Sequence, residues 1–291
     1  MRSVPCLVVA VSLIACAQAP DESSTSAEVI SVNRIALNRI ALNRIALNRI
    51  ALNRIALNRI ALNRLSVNLL NAKDLLATDD GREVFALTVS CALPAEITLV
   101  ATVNGTDFDF PGEIGLAPQW LVGRLGDVGQ RWVSACMFAR VSAHEVVIPI
   151  SMRGPSRALA TDADERATWT LEEGAFFGDA FGPTNEPLQA FACRGRDKAA
   201  GNAGELADRD CAAPDPANPG FTLCGMAFAG DCGNFASDRA CESFSDRGTF
   251  YEECHTSPIR RRHHEAYRDH GHRDEDEARV FTQVITTFAT P

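Results

Sequence analysis

The sequence is poor in lysine and in long apolar segments. Only two of its 28 basic residues are lysines, Lys73 and Lys198. This arginine bias, beside a high alanine content and a formal net charge of −9, is more typical of a GC-rich coding sequence than of a protein that binds nucleic acid. The apolar run at residues 4–15 has twelve residues, whereas a helix that spans a bilayer needs about 20. The run is therefore too short to cross a membrane and has the length of the apolar part of a signal peptide.

Two sequence motifs that are typical of catalytic or metal-binding sites are also missing. The sequence has no Gly-x-Ser-x-Gly motif, so nothing indicates the nucleophile elbow of an α/β-hydrolase. No two cysteines have the Cys-x-x-Cys spacing, which makes a cysteine zinc site a weak interpretation. His144 and His255 are each compatible with a catalytic triad, but a histidine is far more often a surface or hydrogen-bonded residue. The carboxylate pairs Glu172–Glu173 and Asp107 with Asp109 are interpreted as surface residues, and the sequence predicts no catalytic residue.

The N-terminal segment predicts export. Arg2 precedes the apolar run, and the run ends at 13–16 in Leu-Ile-Ala-Cys. This ending resembles the bacterial lipobox, in which the cysteine is lipidated and becomes the new N-terminus. The alternative is ordinary signal-peptidase cleavage after Ala17. We expect a lipoprotein signal peptide at 1–16, with Cys16 as the site of lipid attachment.

The residues after Cys16 bear on the final location. The lipoprotein resemblance implies that an aspartate in the next position retains a protein in the inner membrane, and Ala17 stands there instead. We therefore expect an outer-membrane or cell-surface lipoprotein, or an extracellular protein if Cys16 is not lipidated. Residues 17–29 are small, polar and acidic, which is the composition of a tether.

Residues 30–71 contain a five-residue repeat. Eight pentads run from Ile30 to Leu69, and six of them are identical as Ile-Ala-Leu-Asn-Arg. A helix turns by about 500° over five residues, so the apolar positions would sweep around all of its sides. A strand would change face at every pentad because five is odd. The repeat instead resembles the pentapeptide-repeat β-solenoid, and we expect a short solenoid that caps the following domain, or a partly disordered segment if it cannot dock there.

Charge is divided unevenly between the repeat and the rest of the chain. Residues 30–71 carry seven arginines and no acidic residue, a net charge of +7. Residues 72–291 carry 20 basic and 34 acidic side chains, a net charge of −14. The basic repeat either packs against the acidic body of the same chain or presents an arginine array to an anionic envelope polymer or a protein partner. The repeat has no aromatic residue that could stack on bases, so no nucleic-acid partner is expected.

Residues 72–291 are predicted to form a disulfide-rich β domain. Alternating apolar and polar residues predict short strands, which Gly, Pro, Asn and Asp separate. We expect a mainly β chain, in which the short solenoid is followed by a β-sandwich-like body with long loops. The predicted strands lie at 83–92, 96–104, 131–152 as two strands broken near His144, 168–177 and 280–288.

Eight cysteines remain in the body if export removes Cys6 and lipidation uses Cys16. An even number of cysteines in an oxidising compartment suggests four disulfides. Cys91 and Cys136 occupy inner positions of predicted strands and are expected to pair, and the others are expected to pair among themselves with their connectivity open. Six of the eight lie in the loop-rich segment 191–256. The candidates are Cys91, Cys136, Cys193, Cys211, Cys224, Cys232, Cys241 and Cys254.

Four short segments of the body carry a wider resemblance. They are Gly129–Cys136, Ile150–Gly154, Glu173–Gly178 and Ala192–Gly195. Together with the pentads, they resemble a group of uncharacterised secreted lipoproteins of myxobacterial type that also begin with Leu-Asn repeats. The resemblance implies an exported body and carries over no catalytic residue.

A tract at 260–277 is the densest group of candidate metal ligands. Four of its histidines lie within ten residues, and such tracts can bind Zn²⁺, Cu²⁺ or Ni²⁺ weakly. The alternative is a solvated loop of mixed charge, and no other cofactor is predicted. The candidate ligands are His263, His264, His270 and His272.

The sequence leads to three hypotheses about function, the third of which makes the arginine array of the repeat the binding element. The first is an exported, outer-membrane-anchored lipoprotein that is a non-enzymatic binding or structural module at the cell surface. The second is a secreted hydrolase that acts on an extracellular polymer, with its carboxylates hidden among the 37 acidic residues.

Overall fold

A computed structural model describes most of the body of the chain. The described residues are 27–31, 45–47, 73–142, 148–182, 185–201, 204–233, 239–245, 249–259 and 279–291. Several predictions lie outside these residues: the signal peptide with Cys16, most of the repeat, His144 and the histidine tract with its four candidate ligands. The described part is mainly β, as predicted.

The described residues contain twelve strands and five α-helices. Three short 3₁₀ helices lie at Pro118–Leu121, Arg157–Leu159 and Gly204–Asp208. The α-helices are α1 (Lys73–Leu76), α2 (Asp79–Ala92), α3 (Asp127–Ala139), α4 (Ala163–Thr168) and α5 (Arg196–Ala199). The strands are β1 (Ala27–Ser31), β2 (Ile45–Leu47), β3 (Ile97–Val103), β4 (Thr106–Pro111), β5 (Pro149–Arg153), β6 (Leu171–Asp179), β7 (Gln189–Arg194), β8 (Ala227–Asp231), β9 (Arg239–Phe244), β10 (Tyr251–Ile259), β11 (Val280–Phe281) and β12 (Ile285–Ala289).

The strands form two sheets. A three-stranded sheet has the order β1-β3-β4, and a nine-stranded sheet has the order β11-β10-β9-β8-β7-β6-β12-β5-β2. In the large sheet β8 runs parallel to β7 and β9, and the other pairs are antiparallel. The β3–β4 hairpin turns at Asn104 and Gly105, both with positive φ, which is the requirement of the tight hairpin turn that this residue pair favours.

The strand predicted at 83–92 is wrong, because these residues belong to helix α2. Thr78 caps the helix, since its side chain accepts a hydrogen bond from the backbone N–H of Gly81, and Asp79 and Asp80 favour the positive end of the helix dipole. The buried residues of α2 follow helical rather than alternating spacing. They are Gly81, Val84, Phe85, Thr88, Val89, Ser90, Cys91 and Ala92.

The first of the two strands predicted at 131–152 is also wrong. Residues 131–139 form the end of helix α3, whose second half, Val133–Ala139, is buried throughout. A helix that is apolar on all sides has no periodicity that distinguishes it from a buried strand. The second predicted strand is found as β5, and the strands predicted at 96–104, 168–177 and 280–288 correspond to β3, to β6, and to β11 with β12.

The large sheet has a core on each of its faces. On one face, Met152, Phe176 and Ile285 join the main core, where α3 packs on β6 and β12, and α2 packs on α3 and on β4. On the other face, Phe177 and Tyr251 belong to a second cluster with the cysteines of β7, β9 and β10. Helices therefore cover one face where the sequence predicted a sandwich of strands.

Two strands come from the N-terminal region. Ala27–Ser31, which spans the predicted boundary between tether and repeat, pairs antiparallel with β3. Ile45–Leu47, the apolar part of one pentad, pairs antiparallel with β5 at the edge of the large sheet. Of residues 30–71, the structure describes only 30–31 and 45–47, and these add to sheets of the body rather than forming a solenoid coil.

All eight body cysteines form disulfides. The predicted pair Cys91–Cys136 is confirmed, but it joins helices α2 and α3 rather than two strands. The remaining six pair among themselves, as predicted. Their bonds are Cys193–Cys232, Cys211–Cys224 and Cys241–Cys254.

No helix among the described residues combines the length and the apolar character needed to cross a bilayer.

Candidate functional site

Two adjacent carboxylates, Glu172 and Glu173, lie inside the molecule on β6. Glu172 is 4% exposed and Glu173 is fully buried, so their interpretation as surface residues is wrong. The reason is a β-bulge. Opposite β12, Gly174 pairs with Thr287 and Glu172 with Phe288, which leaves Glu173 as the extra residue of the ladder. A bulge changes the direction of the side chains beside it, and each carboxylate reaches partners inside the protein.

Glu172 is held by groups from two other elements, β10 and α5. The Tyr251 hydroxyl donates a hydrogen bond to Glu172 Oε1 at 2.7 Å, and the backbone N–H of Arg196 donates to the same atom at 3.3 Å. The backbone N–H of Glu172 donates to Asp197 Oδ2 at 2.8 Å, so the start of α5 is fixed against β6. Burial raises the pKa of the Glu172 carboxyl above its ordinary value of 4.5, and the Tyr251 hydrogen bond opposes that rise. Burial and the Glu172 charge also raise the pKa of Tyr251.

Glu173 forms a fully buried ion pair. Its Oε2 accepts hydrogen bonds from Arg209 Nε at 2.7 Å and from the Thr287 hydroxyl at 2.6 Å. Arg209 Nη2 also donates to the backbone carbonyl of Ala139 at 3.0 Å, at the end of α3. The pair therefore ties β6, β12 and α3 to the segment that carries Arg209.

A third group of polar side chains lies near β5. Arg153 Nε donates to the Ser151 hydroxyl at 2.9 Å, and that hydroxyl donates to Glu165 Oε1 at 2.8 Å. Arg153 also donates to the Trp169 carbonyl at 2.6 Å and stacks over the Phe288 ring at 3.8 Å. Burial lowers the pKa of Arg153 to about 10, and the charge of Glu165 opposes that fall.

The arrangement of Glu172 and Glu173 limits the chemistry they can perform. Glu172 bonds Tyr251, which belongs to the second core cluster, whereas Glu173 reaches Arg209 and α3 beside the main core. The two carboxylates therefore point to different faces of β6. Two carboxylates that hydrolyse a glycosidic bond must flank one substrate from either side of that bond. This geometry favours a structural role for the pair.

Two of the disulfides are packed against each other in the second core cluster. The Sγ atoms of Cys193 and Cys241 are 3.5 Å apart, although each belongs to a different disulfide. All four cysteines of these two bonds are buried. The two disulfides therefore form one sulfur-rich cluster that joins β7, β9, β10 and the residue after β8.

A different cluster lies on β9 and β10. His255 Nε2 is 3.8 Å from Glu242 Oε1 and 3.7 Å from Glu253 Oε1, and the three side chains have ligand atoms within 4.8 Å of one another. Sequence reasoning considered His255 but missed its two neighbours. The Glu-x-His spacing could have placed Glu253 and His255 on one face of a strand. Nothing in the sequence indicated that Glu242 would lie beside them.

The remaining sequence-predicted residues separate into two groups. Asp107 and Asp109 lie on β4 and are exposed, as predicted, and Asp107 accepts a hydrogen bond from the Thr102 hydroxyl at 2.6 Å. The metal ligands predicted at His263, His264, His270 and His272, the lipid site Cys16 and His144 lie outside the described residues.

Comparison of the chain with protein-family models, with curated proteins and with solved structures found no match.

Proposed function

We propose that the protein is an exported lipoprotein, anchored in the outer membrane, whose disulfide-stapled body serves as a non-enzymatic binding or structural module. The observation that carries the proposal is the pairing of all eight body cysteines in four disulfides. Disulfides persist in oxidising compartments and are rare in reducing ones. They therefore support the export that the N-terminal segment predicts.

The buried ionisable groups support the non-enzymatic part of the proposal. A catalytic acid, base or nucleophile must reach a substrate. Glu173 and Arg209 are fully buried and form an ion pair with each other. Glu172 accepts a hydrogen bond from Tyr251, which is on another strand of the same sheet. These groups join strands and helices together, which is what a rigid scaffold for a binding surface requires.

Lipid anchoring is tested with two cysteine substitutions. In cells supplied with a labelled fatty acid, Cys16→Ser is expected to lose the label and leave the membrane fraction, because the proposal places the lipid on this sulfur. Cys6→Ser is the matched control, since it lies in the segment that processing would remove, and it is expected to keep both. Equal labelling of both variants, or membrane retention of Cys16→Ser, would contradict the anchor.

We further propose that the arginine array of the repeat binds an anionic envelope polymer. The repeat carries a net charge of +7 and the body −14, so the repeat is the cationic segment of the chain. Deleting residues 35–59 removes five identical pentads and leaves 60–64 to supply the same Ile-Ala-Leu segment that pairs with β5. The deletion is expected to abolish capture of lipopolysaccharide in pull-down assays.

A variant in which five arginines are replaced by glutamine keeps the length of the repeat and removes only its charge. It therefore distinguishes the effect of charge from the effect of length. Capture by this variant is expected to fall as far as in the deletion, and capture by the wild type is expected to weaken with salt. Undiminished capture by either variant would contradict the proposal that the arginine array binds the polymer. The substitutions are Arg39→Gln, Arg44→Gln, Arg49→Gln, Arg54→Gln and Arg59→Gln.

The alternative, a secreted hydrolase acting on an extracellular polymer, is tested with a panel of polysaccharide and peptide substrates. The non-enzymatic proposal predicts no turnover by the purified mature protein. Turnover that a single carboxylate substitution abolishes would overturn it.

A further inference from the structure

Strands β9 and β10 present three side chains that are typical metal ligands at a single point. On β10, Cys254 is buried, and Glu253 and His255 on either side of it lie on the opposite face. Across the ladder, Glu253 pairs with Ser243 and Cys254 pairs with Cys241, so Glu242 is the extra residue of a β-bulge. The bulge brings Glu242 Oε1 to 3.8 Å from His255 Nε2.

The two distances from His255 are close to those expected around a bound ion. A divalent transition metal lies about 2.0–2.2 Å from carboxylate oxygen and imidazole nitrogen, so two of its ligand atoms in tetrahedral geometry are roughly 3.3–3.6 Å apart. The separations of His255 Nε2 from the two carboxylates, 3.7 and 3.8 Å, slightly exceed this range. Small rotations of the two glutamate side chains would close that gap, because Glu242 is exposed and Glu253 is half-buried.

His255 supplies a second, independent observation. Its Nε2 atom is buried and has no hydrogen-bond partner among the described residues, although two carboxylates lie within 4 Å. A buried polar atom without a partner costs free energy, and such atoms call for an explanation in each case. A cation between the three side chains would give Nε2 a ligand bond and would offset the repulsion between the two carboxylates.

The surrounding fold holds the ligands in place. The Cys241–Cys254 disulfide joins the residue before Glu242 to the residue between Glu253 and His255. The backbone of β10 also pairs with β11, where His255 lies opposite Val280 across the ladder. The covalent link and the two neighbouring strands therefore position the ligands before any ion binds, and such preorganisation favours affinity.

We propose that Glu242, Glu253 and His255 form a binding site for a divalent transition metal of the zinc class. Imidazole favours Zn²⁺ and its neighbours in the first transition row over Mg²⁺ and Ca²⁺, which prefer oxygen ligands alone. Three protein ligands leave at least one coordination position open to water or to a group from a partner. The site shares no residue with the histidine tract at 260–277, and it does not depend on the proposed function.

The test separates this site from the histidine tract. Zn²⁺ is titrated by calorimetry into the chelator-treated, oxidised mature protein and into a tract variant that lacks the four tract histidines. The tract variant is expected to bind one Zn²⁺ per chain and to melt at a higher temperature with Zn²⁺ than with chelator. Millimolar Mg²⁺ is expected not to displace the Zn²⁺. The substitutions of the tract variant are His263→Ala, His264→Ala, His270→Ala and His272→Ala.

Substitutions at the site are made on the tract variant. His255→Ala, and Glu242→Gln combined with Glu253→Gln, are each expected to weaken Zn²⁺ binding by more than about 10-fold. Glu252→Gln removes an exposed carboxylate from the same strand and is expected to bind as tightly as the tract variant. The Glu242→Gln and Glu253→Gln double variant keeps the size of both side chains, so it tests the ligands even if His255→Ala unfolds. Absence of binding by the tract variant, unchanged binding by the double variant, or displacement by Mg²⁺ would each overturn the proposal.

Discussion

At the scale of single residues, the ion pair between Glu173 and Arg209 has the largest expected effect on stability. Both side chains are fully buried, and each keeps one polar atom, Glu173 Oε1 and Arg209 Nη1, without a partner among the described residues. Arg209→Met is expected to lower the free energy of unfolding by about 3–5 kcal/mol, because the Glu173 charge is left buried and unpaired. Urea denaturation measures this change.

The double variant Glu173→Leu with Arg209→Met is the control for that prediction. It removes both charges, and replacing a whole buried ion pair by apolar side chains is often neutral or stabilising. We expect it to recover most of the stability that Arg209→Met loses. A double variant as unstable as the single one would mean that the shape of Arg209, and its bond to Ala139, matter more than the charge balance.

Glu172 makes a contribution to stability that depends on pH. Burial raises the pKa of this carboxyl in the folded protein above its ordinary value of 4.5, so the folded state holds the proton more tightly than the unfolded state. The contribution is therefore complete below pH 4.5 and is lost as the pH rises through the folded pKa. Glu172→Gln keeps an acceptor for Tyr251 and cannot ionise, so stability should fall less steeply with pH in this variant.

Chemical denaturation at a series of pH values from 4.5 upward measures this difference. Glu96→Gln removes an exposed carboxylate and should leave the pH profile of the wild type unchanged. Parallel profiles for the wild type and Glu172→Gln would show that Glu172 is not responsible for the pH dependence.

At the scale of elements, the disulfides are expected to differ in their effect on stability. Cys91 and Cys136, which join α2 to α3, are 45 residues apart, and Cys211 and Cys224 are 13 residues apart. In the chain-entropy account, a longer closed loop restricts the unfolded chain more. Replacing the first pair by serine should cost about 4 kcal/mol and replacing the second about 3 kcal/mol.

The two double-serine variants are compared by their urea midpoints and slopes. A common slope allows the midpoints to be read as stabilities, because the surface exposed on unfolding is then the same. An equal or larger cost for the shorter loop would assign the stabilisation to local packing of the sulfurs instead of chain entropy.

The elements differ in how far the sequence predicts them. Strand β3 and its turn at Asn104 are readable because alternation ends at a residue pair that favours a hairpin. Helix α2 is misread because Val84, Thr88 and Val89 are β-branched, a property that favours strands, although Thr78 and the two aspartates after it signal a helix start. Helix α3 is apolar around its buried half, so neither period stands out.

The site residues differ in the same way. Cysteine counting predicts four disulfides because the number of thiols and the compartment limit the outcome, and the pairing follows from which elements meet. The bulges at Glu173 and Glu242 are tertiary features, because the extra residue in each depends on its partner strand. One chain alone shows 37 acidic residues and cannot tell which of them a bulge will turn inward or toward a histidine.

At the scale of the whole molecule, three kinds of interaction stabilise the fold. Apolar cores cover both faces of the nine-stranded sheet, buried polar bonds cross between its strands and helices, and four disulfides close the chain on itself. The repeat adds its Ile45–Leu47 segment to the edge of that sheet. These contributions suit the export proposed above, because a chain held by disulfides is expected to stay folded in a compartment that has no ATP-driven chaperones.

Intact mass of the mature protein, extracted from the membrane and measured before and after reduction, tests the central claim most directly. If the protein is exported, lipid-anchored and disulfide-bonded, the mature chain begins at Cys16 and carries a lipid. Reduction of its four disulfides should add eight hydrogen atoms, two for each bond. A chain that keeps residues 1–15, that carries no lipid, or whose mass is unchanged by reductant would contradict the account.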